Sequence, residues 1–140
     1  MDVVNRLVTL RQHAWARQLL AIQGVEIPAG VRIGAGFQLM HRGFGTVVHP
    51  DTVIGDNVIV FHGVTLGRMD AWLPREESRM KGFEISDGAV LCAGAKILCN
   101  EGTLKVGRGT VVAANAVLTR STGENEIWAG VPARKVSDRT

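Results

Sequence analysis

The stretch "VIGDNVIVFHGVTLG", residues 53–67, decides how this chain folds. Its aliphatic residues Ile54, Val60 and Leu66 are six positions apart, and a small residue follows four positions after each of the first two. An α-helix turns every 3.6 residues, so a period of six would carry these side chains around the whole helix. A strand alternates every two residues, which a period of six allows, but the glycines divide the stretch into pieces too short for a hairpin sheet. The stretch therefore predicts very short strands separated by corners.

The six-residue period extends through most of the chain. The aliphatic residues that keep it are Ile27, Ile33, Leu39, Val48, Ile54, Val60, Leu66, Ile85, Leu91, Ile97, Val106, Val112 and Leu118. Hexapeptide repetition is typical of a parallel β-helix, in which three short strands form a triangular coil of about 18 residues that rises about 4.8 Å. Chains with this pattern resemble the left-handed β-helix, an exception to the right-handed crossover rule, although the period alone does not give the hand. We expect about four coils, with the aliphatic side chains stacked inside.

Composition fits one domain of this kind. There are 17 glycines for the corners, and only 5% of the residues are aromatic, as a narrow interior requires. The net charge is +3, and the lysines and arginines are scattered, which gives no indication of nucleic-acid binding. No apolar run approaches the length of a membrane span, and no signal peptide is visible. The two cysteines, Cys92 and Cys99, are expected as reduced thiols in the cytoplasm.

The two ends of the chain lack the period. Residues 1–24 predict one α-helix, with Asp2 as its N-cap and Gly24 as its stop. The apolar face of this helix consists of Val4, Leu7, Val8, Trp15, Leu19 and Ile22. It is expected to cover the open end of the β-helix, to contact another subunit, or both. The β-helix domain is predicted over residues 25–136, with residues 137–140 as a tail.

The period is interrupted three times, and a regular prism has no pocket unless it is interrupted. Three extra residues lie between Leu39 and Val48, an excursion loop is predicted over 67–84, and three more residues intrude between Ile97 and Val106. Counting through the period places positions 39 and 60 in one column, and 66 and 97 in another. His41 and His62 each follow their stacking residue by two positions. We therefore expect both histidines at the same corner of neighbouring coils, within reach of each other.

At this point a family resemblance becomes visible. The segments that carry it are "GVEIPAGVRIGAGFQLMHRGFGTVVHPDTVIGDNVIVFHGVTLG", "VLCAGAKIL" and "WAGVPARKV". Together they resemble the catalytic domain of serine acetyltransferases and their polysaccharide-decorating relatives, over residues 24–136. The resemblance implies an acetyl-coenzyme A-dependent O-acetyltransferase without a metal. It also implies a homotrimer with active sites between subunits.

The same resemblance implies roles for individual residues. His41 matches the family's general base, which takes the proton of the acceptor hydroxyl as that oxygen attacks the thioester. His62 would line the acceptor site at the same corner, and Arg79 on the excursion faces either the acceptor or solvent. The small residues Gly67, Ala93, Gly94 and Ala114 would line a groove for the pantetheine arm, although the repeat itself demands small corners. Arg134 and Lys135 would meet the coenzyme phosphates, or else are solvated charges of the closing segment.

Two departures from the serine enzymes bear on the acceptor. Met40 stands where those enzymes have an aspartate before the histidine, and the excursion holds no histidine. The ammonium group of an amino acid requires a carboxylate nearby, so a sugar hydroxyl, as in surface-polysaccharide synthesis, is the first prediction and L-serine the alternative. Asp51, Asp56 or a carbonyl of a neighbouring subunit are the candidates to orient His41.

The repeat is also compatible with two other functional classes. The same fold hosts trimeric enzymes similar to γ-class carbonic anhydrases, in which three histidines bind zinc between subunits. His41, His49 and His62 suggest that site, but its closely spaced histidine pair is missing here. A non-catalytic scaffold is the other class, because a β-helix can persist after its chemistry is lost.

Overall fold

The computed structural model describes all residues, 1–140, as a left-handed parallel β-helix capped by two short helices. Helix α1 is Val3–Thr9 and helix α2 is Ala14–Ile22. The prism has three faces. The first contains β1 (Arg32–Ile33), β3 (Thr52–Ile54), β6 (Arg79–Ile85) and β9 (Glu101–Val106). The second contains β2 (Gln38–Leu39), β4 (Ile59–Val60), β7 (Val90–Leu91), β10 (Val111–Val112), β12 (Glu126–Gly130) and β13 (Ala133–Asp138), and the third contains β5 (Thr65–Arg68), β8 (Lys96–Cys99) and β11 (Val117–Leu118).

The strand pairing confirms the columns predicted from the six-residue period. Leu39 lies beside Val60 on the second face, and Leu66 lies beside Ile97 on the third. On the first face one column runs through Ile33, Ile54, Ile85 and Val106, which gives four stacked coils. The aliphatic members of these columns are buried, apart from Ile33, which is partly buried against the core. Their burial is the main source of stability, at about 25 cal/mol per Å² of apolar surface.

Corner geometry explains the glycines. At the corner between the second and third faces, Gly45, Gly63 and Gly94 have φ values of 75°, 71° and 72°. Gly63 and Gly94 stack so closely that a Cβ on Gly63 would lie 3.5 Å from the Cα of Gly94. In the last coil Asn115 takes the same place with φ of 57°, a conformation that asparagine tolerates better than most residues.

The N-terminal segment differs from the single helix predicted. Residues 10–13 form a turn, in which the N–H of His13 donates to the carbonyl of Leu10 at 2.9 Å. The turn restarts the helical phase, so α2 buries Ala16 and Leu20 while Trp15, Leu19 and Ile22 are exposed. In α1, Val4, Leu7 and Val8 are buried as expected, and the Asp2 carboxylate caps the helix by accepting from the N–H of Asn5 at 2.8 Å.

Two other segments are more ordered than the sequence suggested. The excursion predicted as a loop over 67–84 lies outside the strands only from Met69 to Ser78, because β5 runs through Arg68 and β6 begins at Arg79. Within it, Arg75–Glu77 forms a short 3₁₀ helix. Strand β6 extends beyond one hexapeptide because the three residues inserted before Val106 lengthen β9, which pairs with it. The tail predicted over 137–140 also starts late, since β13 continues through Asp138 and pairs antiparallel with β12. No helix is long and apolar enough to cross a membrane.

Candidate active site

The corner that carries His41 and His62 is built from one irregular and several regular coils. Leu39 pairs with Val60 before the corner, and Val47 pairs with Thr65 after it. Seven residues (40–46) therefore connect Leu39 to Val47, whereas four residues (61–64) connect Val60 to Thr65. Phe44 and Gly45 therefore match His62 and Gly63, and His41 lies on the three extra residues. The two histidines do share a corner, as the period predicted, but His41 protrudes from it because it belongs to the insertion.

The inserted residues have an unusual backbone. His41 has φ 53° and ψ 37°, and Arg42 has φ 60° and ψ 9°, within a 3₁₀ segment over Met40–Gly43. For residues with a Cβ this left-handed conformation costs about 1–2 kcal/mol each. Such strain persists only where surrounding contacts hold it, and it is common at functional sites.

Two aromatic rings, those of Phe61 and His62, lie beside the ring of His41. The His41 and His62 rings are 5.4 Å apart between centroids and are nearly perpendicular, at 86°. The Phe61 ring lies 5.8 Å from His41. An open recess between the histidines is lined by His41, Arg42, Phe44 and His62. Both imidazoles are exposed to this recess, so a ligand entering it can contact either ring.

Neither aspartate considered as a partner for His41 lies beside it. The Asp51 carboxylate pairs with Arg75 at 2.9 Å, and the Asp56 carboxylate accepts from the N–H of Ala35 at 2.9 Å; both groups belong to other corners. Asp2 is the acidic residue that shares a recess with His41, and Asn5 and Met40 line the same recess. Sequence reasoning missed Asp2 and Asn5 as site residues, because nothing in the period shows where the N-terminal helices dock.

Three of the four residues predicted to form a coenzyme groove, Ala93, Gly94 and Ala114, continue the His62 corner, and Gly67 does not. Phe44, His62, Ala93 and Ala114 occupy equivalent positions, since each is followed by a residue with positive φ and the coils are joined there by backbone hydrogen bonds. The N–H of Gly94 donates to the carbonyl of His62 at 3.0 Å, and the N–H of Asn115 donates to the carbonyl of Ala93 at 2.9 Å. A strip of small side chains therefore runs from His62 along the corner. Gly67 lies on the outer surface of the third face, beside Leu98.

The predicted cationic residues lie elsewhere. Lys135 on β13 is paired with Glu126 at 3.1 Å and Asp138 at 2.8 Å. These two carboxylates raise the pKa of Lys135, and a coenzyme phosphate would have to compete with them. Arg134 is exposed, and the only hydrogen bond of its side chain is to the carbonyl of Ala133. Arg79 is the first residue of β6 on the first face, at a different corner of this chain from His41, and its side chain is 78% exposed.

The three histidines of the carbonic anhydrase alternative do not converge. His49 packs against Phe83 at 5.9 Å between ring centroids. Burial lowers its pKa, while Asp51 raises it and Arg75 and Arg68 lower it to smaller extents. The chain holds no group of three or more His, Cys, Asp or Glu side chains arranged to bind a metal ion. The histidine constellation in this chain is therefore the pair His41 and His62.

The chain is similar, in sequence and in structure, to serine acetyltransferases. The chain is 37% identical over 113 residues to the serine acetyltransferase of Bacillus licheniformis, covering 81% of this chain and 48% of that protein. A serine acetyltransferase from Vibrio cholerae has a TM-score of 0.76 at 30% identity, covering 99% of this chain and 52% of that one. The coenzyme A complex of the Brucella abortus enzyme has a TM-score of 0.71 at 29% identity, covering 98% and 53%. No protein-family model matches.

The structural likenesses extend over nearly the whole chain. The chain spans about half the length of the relatives that it matches. The shared part includes the irregular coil with His41, the His62 corner and the closing hairpin. The chain is thus a serine acetyltransferase-like member of the hexapeptide-repeat acyltransferase superfamily.

Proposed function

We propose that the protein is an acetyl-coenzyme A-dependent O-acetyltransferase with His41 as its general base. The observation that carries the proposal is the position of His41, which protrudes into an open recess and faces His62 at 5.4 Å between ring centroids. The strip of small residues that starts at this corner supports a bound pantetheine arm. The coenzyme A complex of the Brucella abortus neighbour supports the choice of acyl donor.

The proposed reaction needs only one base and one oxyanion donor. His41 accepts the proton of the acceptor hydroxyl while that oxygen attacks the thioester carbonyl, so that a C–O bond forms. The carbonyl oxygen becomes negative and is stabilised by a backbone N–H at the corner. The tetrahedral adduct then collapses, the C–S bond breaks, and His41 returns the proton to the departing sulfur of coenzyme A.

The acceptor is the part of the proposal on which the residues and the relatives differ. The named relatives are serine acetyltransferases and favour L-serine. The prediction of a sugar hydroxyl rests on Met40, which replaces the carboxylate expected beside the base. Asp2 supports L-serine, because its carboxylate lines a recess shared with His41. We therefore place L-serine first and retain a sugar hydroxyl as the second candidate.

An assay of coenzyme A release tests the activity and the acceptor together. Purified protein is incubated with acetyl-coenzyme A and, separately, with L-serine, simple sugars and nucleotide sugars, and the acetylated product is identified by mass spectrometry. Turnover with L-serine supports the first candidate, and turnover with sugars alone supports the second. Absence of acceptor-dependent release across the panel contradicts the proposed activity.

The coenzyme groove has a separate test. A ligand that binds only the folded state raises the melting temperature, so acetyl-coenzyme A should stabilise the wild-type protein. Ala114→Trp fills the strip beside Ala93 and should abolish this shift. Ala35→Trp is the matched control, because Ala35 is an exposed alanine at a different corner. An equal shift in all three proteins would move the groove away from Ala114.

We also propose a homotrimer with active sites between subunits, in the cytoplasm. Several large apolar side chains are exposed in the single chain, including Phe44 beside the recess (52%) and Trp72 on the excursion (80%). Large exposed apolar side chains often mark protein–protein contacts, and this supports an oligomer. The cysteines Cys92 and Cys99 are unpaired, which supports a reducing compartment. Light scattering at micromolar concentration tests the assembly, and a stable monomer would contradict the shared site.

A further inference from the structure

The inserted segment that carries His41 begins directly after Leu39. Strand β2 is the last strand of the second face, so one of its edges pairs with β4 and the other edge has no strand beside it. The N–H of Gln38 donates toward the paired edge, to the carbonyl of Val58 in the next coil, at 3.0 Å. The N–H and carbonyl of Leu39 face the open edge, where a strand normally continues the ladder. His41 follows two residues later.

The side chain of Asn5 on α1 closes this edge. Its Oδ1 accepts from the N–H of Leu39 at 2.8 Å, and its Nδ2 donates to the carbonyl of Leu39 at 3.0 Å. One side-chain amide thus pairs with both backbone groups of a single residue, as a neighbouring strand would. The Asp2 carboxylate accepts from the same Nδ2 at 3.1 Å and from the backbone N–H of Asn5 at 2.8 Å. Because Asp2 only accepts, it fixes which end of the amide faces the carbonyl of Leu39.

Leu39 is also held from inside. Its side chain is buried and lies against Gly43, the last residue of the 3₁₀ segment, where an added Cβ would collide with it. The inserted residues start at the backbone of Leu39 and end over its side chain. Any shift of Leu39 therefore moves both ends of the segment that carries His41 in its left-handed conformation.

We propose that Asn5 is a positioning residue for His41, acting through the backbone of Leu39. This inference rests on the proposed function, in which His41 accepts the acceptor proton. The N-terminal helix would then be part of the catalytic apparatus, because it fixes the base relative to the acceptor. The packing of α1 does not depend on Asn5, since Val4, Leu7 and Val8 form its buried face. Asn5→Ala is therefore expected to fold.

The matched control is Gln12→Ala. Gln12 also donates from its side chain to the backbone of the β-helix, at the carbonyl of Ala29 over 3.1 Å, but away from His41. Asn5→Ala should lower kcat by about 10- to 100-fold, the effect of a small misplacement of a catalytic group, and leave KM for acetyl-coenzyme A unchanged. Gln12→Ala should keep kcat within about twofold of wild type. An unchanged kcat in Asn5→Ala, or an equal loss in Gln12→Ala, would overturn the inference.

Two measurements keep this test separate from that of the proposed function. If the wild-type protein transfers no acetyl group, the proposed function fails, and NMR still reports the positioning. In Asn5→Ala the Leu39 amide should exchange at least about tenfold faster and the His41 ring resonances should shift, whereas both stay at wild-type values in Gln12→Ala. Unmoved His41 resonances would overturn the inference. If Asn5→Ala does not fold, the near-isosteric Asn5→Asp, which keeps an acceptor for the Leu39 N–H but loses the donor to the Leu39 carbonyl, should lower kcat by about threefold or more, and an unchanged kcat in that variant would equally overturn it.

Discussion

Two coils pass the same corner of the prism in different ways. The coil from Val60 to Thr65 turns with four residues, one of which is a glycine with positive φ. The coil from Leu39 to Val47 uses seven residues, and two of them, His41 and Arg42, have positive φ although they carry side chains. Both coils keep the same strand pairing on either side of the corner. Strand pairing and core packing therefore fix a coil at its faces, whereas a corner can accept extra residues. Regular coils are therefore expected to determine stability, and the irregular coil is expected to determine chemistry.

Removing the His41 imidazole should have the largest effect on the chemistry. His41→Asn keeps a residue that tolerates positive φ, so the fold should persist while the rate of acetyl transfer falls by roughly 10²- to 10⁴-fold. Binding of acetyl-coenzyme A, measured by calorimetry, should change little. In the regular coil, His62→Ala should cost less and act mainly on KM for the acceptor. Full turnover in His41→Asn would shift the role of base to His62.

A core substitution in a regular coil should have a large effect of the opposite kind. Ile97 is completely buried between Leu66 and Leu118. Ile97→Ala should lower the free energy of unfolding by about 2–5 kcal/mol, because it leaves a cavity in the column. The control is Ile22→Ala on α2, where the side chain is 77% exposed and the change should stay within about 0.5 kcal/mol. Urea denaturation gives both values, and equal losses would show that the columns are not the stabilising core.

The faces of the prism could be predicted from the sequence, and the corners only in part. Inward positions must be aliphatic in every coil, so the period alone gives the pairs Leu39 with Val60 and Leu66 with Ile97. It also brings His41 and His62 together, because both follow those positions closely. The period cannot show that Phe44, and not His41, matches His62, since an insertion of three residues leaves its own placement open.

The six-residue period could not predict contacts between segments that are distant in the sequence. The break at residues 10–13 shifts the buried face of α2, so Trp15 and Leu19, which belong to the predicted apolar face, are exposed in the single chain. The bonds from Asn5 to Leu39 join positions 34 apart in the chain. Asparagine in a helix carries no signal of such a role. The first half of strand β6 was not predicted, because it pairs with residues 101–103 in the interruption between Ile97 and Val106 and not with a hexapeptide.

The contrast between strained and relaxed corners gives a prediction of intermediate size. Gly94→Ala puts a Cβ at φ 72° against the side chain of Asn115, and should destabilise the protein by about 1–3 kcal/mol. Arg42→Gly in the irregular coil removes about 1–2 kcal/mol of strain at φ 60°. Glycine's greater freedom in the unfolded chain offsets part of this gain, so the net change should lie within about 1 kcal/mol of zero. Thermal unfolding of both variants tests the contrast, and a large loss in Arg42→Gly would mean that the Arg42 side chain supports the segment.

The smallest expected effect is the pH dependence of stability that comes from His49, at the far end of the irregular coil. Its side chain is only 16% exposed, and its Nδ1 accepts from the N–H of Asp51 at 3.1 Å, so the folded state favours the neutral ring. Burial is the main reason that its pKa lies below the ordinary 6.5. The unfolded chain therefore binds a proton first as the pH falls, and this contribution to stability is complete above about pH 6.5 and is lost as the pH drops through the folded-state pKa. His49→Gln keeps an acceptor for the Asp51 N–H and removes the titration. Chemical denaturation between pH 7.5 and 5 should thus show a steeper loss in wild type than in His49→Gln, and parallel curves would mean that His49 protonates as easily in the folded protein as in the unfolded chain.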